Sequence, residues 1–169
     1  LQNNVKTLLA YSSVAQIGYI VLGISMVSIT GLMASILHIF NHALMKGALF
    51  MAMGAVVYRV GSAEVKAFEG LGRKMPWTMA AFAIAGLSLI GVPLTVGFVS
   101  KWYLVSAALD QENWVVAALI LLGSLLAVVY VGKVLEAAYF SKAADIENQR
   151  EIKEAPLGML LPMWALVLA

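Results

Sequence analysis

Long apolar runs are the feature of this 169-residue sequence that most restricts how it can fold. The first two occupy about residues 7–27 and 31–58, and each exceeds the roughly 18 apolar residues that indicate a membrane-spanning helix. Hydrophobic residues make up 62% of the chain and charged residues only 12%, which is far from the composition of a soluble domain. The sequence therefore predicts a membrane protein with several spanning helices.

A third apolar run, at about residues 77–109, is too long for one simple span. Its centre reads LIGVPLTVGF, where Pro93 removes a backbone donor and Gly91 and Gly97 weaken the helix. We therefore predict a span that is broken into two halves near residues 91–97.

Two more apolar runs, at about residues 114–140 and 156–169, complete the predicted bundle, and the last one is truncated. The predicted fold class is all-α, a polytopic bundle of transmembrane helices with one broken span. The chain starts at Leu1 and stops inside an apolar run, so we expect it to be a piece of a longer protein.

Basic residues collect on one side of the predicted membrane. Connections between spans should alternate between the two faces of a bilayer, and Lys and Arg favour the cytoplasmic face. The loops on the opposite face contain Asp110 and Glu112 and no basic residue. We therefore predict a multi-pass protein of the cell (inner) membrane with cytoplasmic loops around residues 59–76 and 141–155. The basic residues on that side are Lys6, Arg59, Lys66, Arg73, Lys74, Lys142, Arg150 and Lys153.

The composition also excludes several classes of function. The net charge of +2 reflects this arrangement by membrane side, so we infer no nucleic-acid partner. The absence of cysteine excludes disulfides, a Cys-ligated zinc site and an iron–sulfur cluster held by this chain. We expect no cofactor here, and any redox group would belong to another subunit.

A polar stripe interrupts the second apolar run, in the stretch HIFNHALMKG at residues 38–47. His38, His42 and Lys46 are spaced at intervals of four, which places them on one side of an α-helix, with Asn41 beside them. An ionised lysine this deep in a membrane costs about 2.5–3.5 kcal/mol on insertion scales, so it needs a functional reason. Imidazole and amine groups on one stripe could exchange protons through water. We therefore predict a proton pathway.

Two other interpretations of this stripe stay open. Intramembrane histidines often only hydrogen-bond to neighbouring helices, which would give the stripe a packing role. Two histidines one turn apart can also chelate zinc, but no cysteine or third ligand lies nearby and the glutamate of an HExxH motif is missing. We therefore expect no metal site.

Lys101 follows the predicted helix break, in the stretch GVPLTVGFVSKW. Breaks inside a bilayer are tolerated where the freed backbone lines a cavity or is covered by protein, and transporters place ions there. We predict that Lys101 is a second protonation site; the alternative is a proline kink with Lys101 reaching outward to the interface, as we expect of Lys133. Weaker candidates, which could hold water in a proton path, are Ser12, Ser13, Gln16, Ser88, Thr95 and Ser100.

Four stretches of the sequence together resemble a known superfamily. They read VKTLLAYSSVAQIGYI, HIFNHALMKGALF, GVPLTVGFVSKWYL and KVLEAAYF, and they cover nearly the whole chain. The sequence resembles the antiporter-like subunits shared by respiratory complex I, Mrp-type cation/proton antiporters and membrane-bound hydrogenases. Members often carry two prolines at the break, whereas here Leu94 follows Pro93.

The resemblance implies the C-terminal part of a subunit with inverted helical repeats, surrounded by other membrane subunits of a hetero-oligomeric complex. It implies that Lys46 links two half-channels, that His38 and His42 lie on a central polar axis, and that Lys101 serves the second half-channel. GFVSKWYL and KVLEAAYF look most like the D-type Mrp subunit. This implies a proton-translocating subunit of a monovalent cation (Na⁺)/H⁺ antiporter with no chemistry of its own.

Two alternatives to antiport remain. The chain could be a proton-pumping subunit of NADH-quinone oxidoreductase (complex I) or of a membrane-bound hydrogenase, with electron transfer in other subunits as the driving force. It could also be a helical scaffold whose polar stripe only fixes packing, in which case changes at Lys46 would lower abundance rather than coupling.

Overall fold

The computed structural model describes residues 2–141 and 152–169, and within these ranges it contains seven α-helices and no strand. This confirms the predicted all-α bundle. Three of the helices are long enough and apolar enough to cross a membrane. The predicted loop at residues 141–155, with Lys142 and Arg150, lies mostly outside the described residues. The helices are α1 Val5–Ser25, α2 Ile29–Val60, α3 Leu71–Lys74, α4 Pro76–Ile90, α5 Val96–Asp110, α6 Trp114–Tyr139 and α7 Leu157–Leu168.

The first two helices form a tight antiparallel hairpin. The Asn4 side chain accepts a hydrogen bond from the backbone at the start of α1, and Ser28 does the same for α2. Close to the turn, a Cβ added at Gly23 would lie 2.8 Å from the Gly31 carbonyl oxygen. Small residues thus let the two backbones approach closely, as is usual where helices pack in membranes.

Short elements connect the hairpin to the broken span. A 3₁₀ helix, Val65–Phe68, and the single turn α3 occupy the stretch that follows α2. The backbone N–H of Val65 donates to the Asn3 carbonyl at 2.8 Å, which ties this connection to the start of α1. Pro76 then opens α4, a position where its missing N–H costs nothing.

The third apolar run forms two helices, α4 and α5, as predicted. α4 ends at Ile90 and is capped by Gly91, whose φ of 90° is readily adopted only by glycine, and Pro93 lies in the break between the helices. Leu94 has a φ of 75°, a value that the ring of proline cannot adopt. A second proline at this position is therefore incompatible with this backbone.

Gly97 has a different role from the one expected. It lies inside the first turn of α5, so it does not form part of the break. A Cβ added there would lie 1.9 Å from the Ser88 carbonyl oxygen, and its own N–H donates to Ser88 Oγ at 3.1 Å. Gly97 therefore allows the start of α5 to lie directly against the end of α4.

Candidate proton-transfer site

The polar stripe of α2 faces α1 and the broken span. His38 is fully buried, and the side chains of Asn41 and Lys46 are only 7% and 6% exposed. His42 lies at the edge of this face and is partly buried. His38, Asn41 and Lys46 hydrogen-bond to neighbouring helices, and no direct hydrogen bond between any two members of the stripe is found in the described part of the chain.

His38 connects three helices. Its Nδ1 lies 2.8 Å from Ser100 Oγ on α5, and its Nε2 lies 3.0 Å from Gln16 Oε1 on α1. Ser100 Oγ also lies 3.3 Å from the Gly97 carbonyl, to which its hydroxyl can donate. A hydroxyl can donate to or accept from the ring, so Ser100 can satisfy Nδ1 with or without its proton. His38 therefore keeps its hydrogen bonds in either protonation state.

Lys46 reaches from α2 to the continuous helix α1. Its Nζ donates to the Leu9 carbonyl at 2.7 Å and to the Ser12 hydroxyl. Ser12 itself lies 2.9 Å from the same carbonyl, to which its hydroxyl donates. The separation of eight positions between His38 and Lys46 corresponds to about 12 Å along a helix, so α1 provides separate partners for the two groups.

Lys101 is held at the break of the third span, where its amine contacts the end of α4. It is 5% exposed, and its Nζ donates to the carbonyls of Leu89 and Ile90 at 2.9 and 3.0 Å and to Ser124 Oγ at 3.0 Å. The last carbonyls of a helix have no partner within it and carry partial negative charge. The ammonium group thus stabilises the end of α4, and the outward-reaching orientation is wrong for Lys101.

Three further residues named from the sequence relate to this arrangement in different ways. Asn41 Nδ2 donates to the Val96 carbonyl at 2.6 Å, which fixes α2 against the start of α5. His42 Nδ1 is shielded and has no hydrogen-bond partner within residues 2–141 and 152–169. Lys133, by contrast, is placed at the protein edge, where its Nζ donates to Asn3 Oδ1 at 2.9 Å.

Sequence reasoning missed two residues at this site, Tyr19 and Ser124. Tyr19 is buried beside both His38 and Lys101, and Ser124 is a direct partner of Lys101. Ser12, Gln16 and Tyr19 are spaced i, i+4 and i+7, so they form a second polar stripe, on α1, that could have been found from the sequence. Ser124 stands alone in an apolar helix and gives no such signal.

No group of three or more His, Asp or Glu residues that could hold a metal ion occurs in the described ranges. The site consists instead of two amines, an imidazole pair, hydroxyls and backbone carbonyls. Such groups can bind, orient and pass on protons.

Comparison with known proteins places the chain in a family. A family model described as NADH:quinone oxidoreductase/Mrp antiporter, TM, matches residues 1–127. The chain belongs to this family. The match confirms the resemblance that the four sequence stretches indicated.

Individual relatives come from more than one branch of the family. The chain is 43% identical to NADH-quinone oxidoreductase subunit N of Desulforudis audaxviator, over 98% of this chain and 35% of that protein. It is 33% identical to the D-type subunit of the Na⁺/H⁺ antiporter of Alkalihalophilus pseudofirmus, over 98% of this chain and 33% of that protein. The chain thus spans about a third of the length of these curated relatives.

A solved structure shows the same arrangement of helices. The chain matches a chain of the membrane-bound sulfane sulfur reductase, described as an archaeal respiratory membrane complex, with a TM-score of 0.88 and 36% identity. The match covers 99% of this chain and 28% of that one. The solved structures that resemble this chain are thus subunits of multisubunit membrane complexes.

Proposed function

We propose that this chain is part of a proton-translocating membrane subunit, in which Lys46 and Lys101 take up and release protons and His38 lies between them. The observation that carries the proposal is the setting of Lys101. Its amine is buried at a helix break inside the bundle and is bound by two carbonyls and a hydroxyl. A buried ionisable residue at a broken transmembrane helix is the usual mark of an ion pathway.

His42 completes the proposed path on α2. Its shielded Nδ1 has no partner in the described part of the chain, and it lies one helical turn from both His38 and Lys46. A ring nitrogen in this position can accept or donate a proton when a water molecule bridges to it. We therefore include His42 among the relay groups, with Gly91 and Pro93 as the residues that form the break.

The source of energy for translocation has two candidates. Exchange of H⁺ for Na⁺ or another monovalent cation is favoured by the likeness to the D-type subunit of a Na⁺/H⁺ antiporter, at 33% identity. Redox-driven pumping is favoured by the likeness to NADH-quinone oxidoreductase subunit N, at 43% identity. The higher identity gives the redox-driven alternative more support than the sequence motifs alone suggested.

We also propose how the chain fits into a longer subunit and how it is oriented in the membrane. We propose that it is the C-terminal part of a longer subunit, since its relatives are about three times as long. Other membrane subunits would be its partners, in a bilayer whose cytoplasmic face lies at the residue 59–76 connection. The basic residues Arg59, Lys66 and Arg73 support that orientation.

Everted membrane vesicles that contain the chain in its complete complex test both candidates. An imposed pH gradient is followed after addition of Na⁺, and separately after addition of NADH, in wild type and Lys46→Ala. Antiport predicts that Na⁺ collapses the gradient in wild type only. Redox-driven pumping predicts that NADH builds a gradient in wild type only. If neither addition changes the gradient in wild type, or if Lys46→Ala equals wild type, the proposal is wrong.

A further inference from the structure

One aromatic ring contacts both Lys101 and His38. The Nζ of Lys101 is 5.0 Å from the centre of the Tyr19 ring. The same ring meets the His38 imidazole almost at right angles, with the ring centres 5.6 Å apart. No hydrogen bond joins Lys101 directly to His38 among the described residues, and both groups contact this ring.

Tyr19 is held firmly in this place. Its side chain is 7% exposed, and its hydroxyl donates to the Ile120 carbonyl on α6 at 3.2 Å. Next to it, a Cβ added at Gly123 would lie only 2.2 Å from the Tyr19 hydroxyl oxygen. The glycine therefore leaves the space that the hydroxyl occupies, and the ring spans the gap from α1 to α6.

The physical properties of the ring make it a barrier to protons. Proton transfer needs donor and acceptor atoms within about 2.6–3.2 Å, directly or through water, and the ring carbons offer neither. The ring face also attracts a charged amine, which favours the closed position while Lys101 is protonated. The barrier is thus strongest when the lysine holds its proton.

We propose that Tyr19 gates proton movement between His38 and Lys101. It acts as a positioning residue that keeps the two groups apart until the ring moves. This inference rests on the proposed proton-translocating function, and it adds a control point to it. The competing role is that of a relay through the Tyr19 hydroxyl, which donates a hydrogen bond to the Ile120 carbonyl.

Passive proton leak is the measurement that tests the gate. Vesicles with the complete complex receive a pH jump in the absence of Na⁺ and of any electron donor. Tyr19→Leu, which keeps apolar bulk but removes the ring, should leak several times faster than wild type at equal complex abundance. Tyr19→Phe, which keeps the ring, should leak and transport as wild type does. Tyr58→Leu, on the exposed end of α2, is the matched control and should not leak.

A double variant shows whether the leak runs through the site. Lys101→Met combined with Tyr19→Leu should return the leak to the wild-type rate. The gate is excluded if assembled Tyr19→Leu does not leak, or if the leak persists in the double variant. Loss of transport in Tyr19→Phe would instead establish a hydroxyl relay and overturn the gate.

Separate controls test whether the complex assembles and whether the proposed proton-translocating function is correct. If Tyr19→Leu fails to assemble, Gly123→Ala is used instead, since its Cβ would push against the Tyr19 hydroxyl, and the same leak is expected. If Lys46→Ala and Lys101→Ala both transport normally, the proposed function fails whatever the leak shows. If the proposed function is correct but the gate is not, the lysine variants lose transport and vesicles with Tyr19→Leu leak no faster than wild type.

Discussion

Lys46 and Lys101 lie in two different helical settings, although their side chains are almost equally buried, at 6% and 5% exposed. Lys101 meets a helix that has ended, where the carbonyls of Leu89 and Ile90 have no partner in the helix. Lys46 meets a helix that continues, and the Leu9 carbonyl that it uses also accepts from Ser12.

This difference shows what a broken span contributes. A helix end offers a buried amine several free acceptors and a favourable dipole, so the lysine stabilises the fold at this point. An unbroken helix offers only acceptors that are already in use. We therefore expect Lys101 to have a larger structural role than Lys46, with both needed for transport.

Replacement of the two lysines by methionine should give the largest difference in stability. Lys101→Met leaves two buried carbonyls without a donor, whereas Lys46→Met leaves one carbonyl that still has a hydroxyl partner. We expect Lys101→Met to cost about 1–3 kcal/mol more than Lys46→Met. The apparent Tm of the purified complex measures this, and equal Tm values would contradict the comparison.

Substitution of the glycine at the end of α4 should disturb Lys101 selectively. Gly91→Ala introduces a Cβ 2.9 Å from Lys101 Cδ, at a φ of 90° that costs a non-glycine residue about 1–2 kcal/mol. Gly61, at the end of α2, has a φ of 81° and no atom within 4 Å of an added Cβ. Both variants should lose similar stability from the backbone.

The rate of proton transport should distinguish Gly91→Ala from Gly61→Ala. Gly91→Ala should also lower the rate of proton transport, because the lysine must shift, and Gly61→Ala should not. Rates are compared in vesicles after correction for the amount of assembled complex. A normal rate in Gly91→Ala would mean that the position of Lys101 against the break is not needed.

Loss of single hydroxyl partners should have a smaller effect. Ser12→Ala removes one of two hydrogen-bond partners of Lys46, and Ser124→Ala removes one of three partners of Lys101. Each change should cost about 1 kcal/mol, and Ser12→Ala should slow transport more than Ser124→Ala. The reverse order of rates would show that Lys46 does not depend on its serine.

The smallest effect is expected for Leu94→Gly, in the break between α4 and α5. Leu94 is fully exposed with a φ of 75°, so Leu94→Gly should raise stability by about 0.5–1 kcal/mol without changing transport. Leu94→Pro should destabilise the complex, because proline fixes φ near −65°. Thermal melts of the two variants check this, and a stable Leu94→Pro would contradict the backbone described for the break.

Much of the fold could be predicted from the sequence, because the length of an apolar run and the helix-breaking residues within it determine where each helix starts and ends. The run at residues 77–109 was too long for one simple span and contained Pro93, and in the structure α4 ends at Ile90 and α5 starts at Val96. The function of Gly97 could not be predicted in this way. Its contact with Ser88 depends on how two helices cross, and this is not encoded in spacing along one helix.

The sequence predicted which site residues share one face of a helix, but not which residues of other helices they contact. The four-residue spacing placed His38 and Lys46 on one side of α2, but their hydrogen-bond partners lie on other helices. Ser100 and Gln16 were only weak candidates because small polar residues in spans are usually packing contacts. Tyr19 was missed because its contact with two ionisable groups arises from the packing of α1, α2 and α5.

Proton flux through lysine variants at equal abundance tests the central claim most directly. Lys46→Met, Lys101→Met and the edge variant Lys133→Met are compared in vesicles, with the assembled complex quantified in each sample. The account predicts that flux driven by the coupling ion or electron donor is lost in the first two variants and kept in Lys133→Met. Normal flux in either buried-lysine variant would contradict it, as would losses of flux that only follow losses of assembled complex.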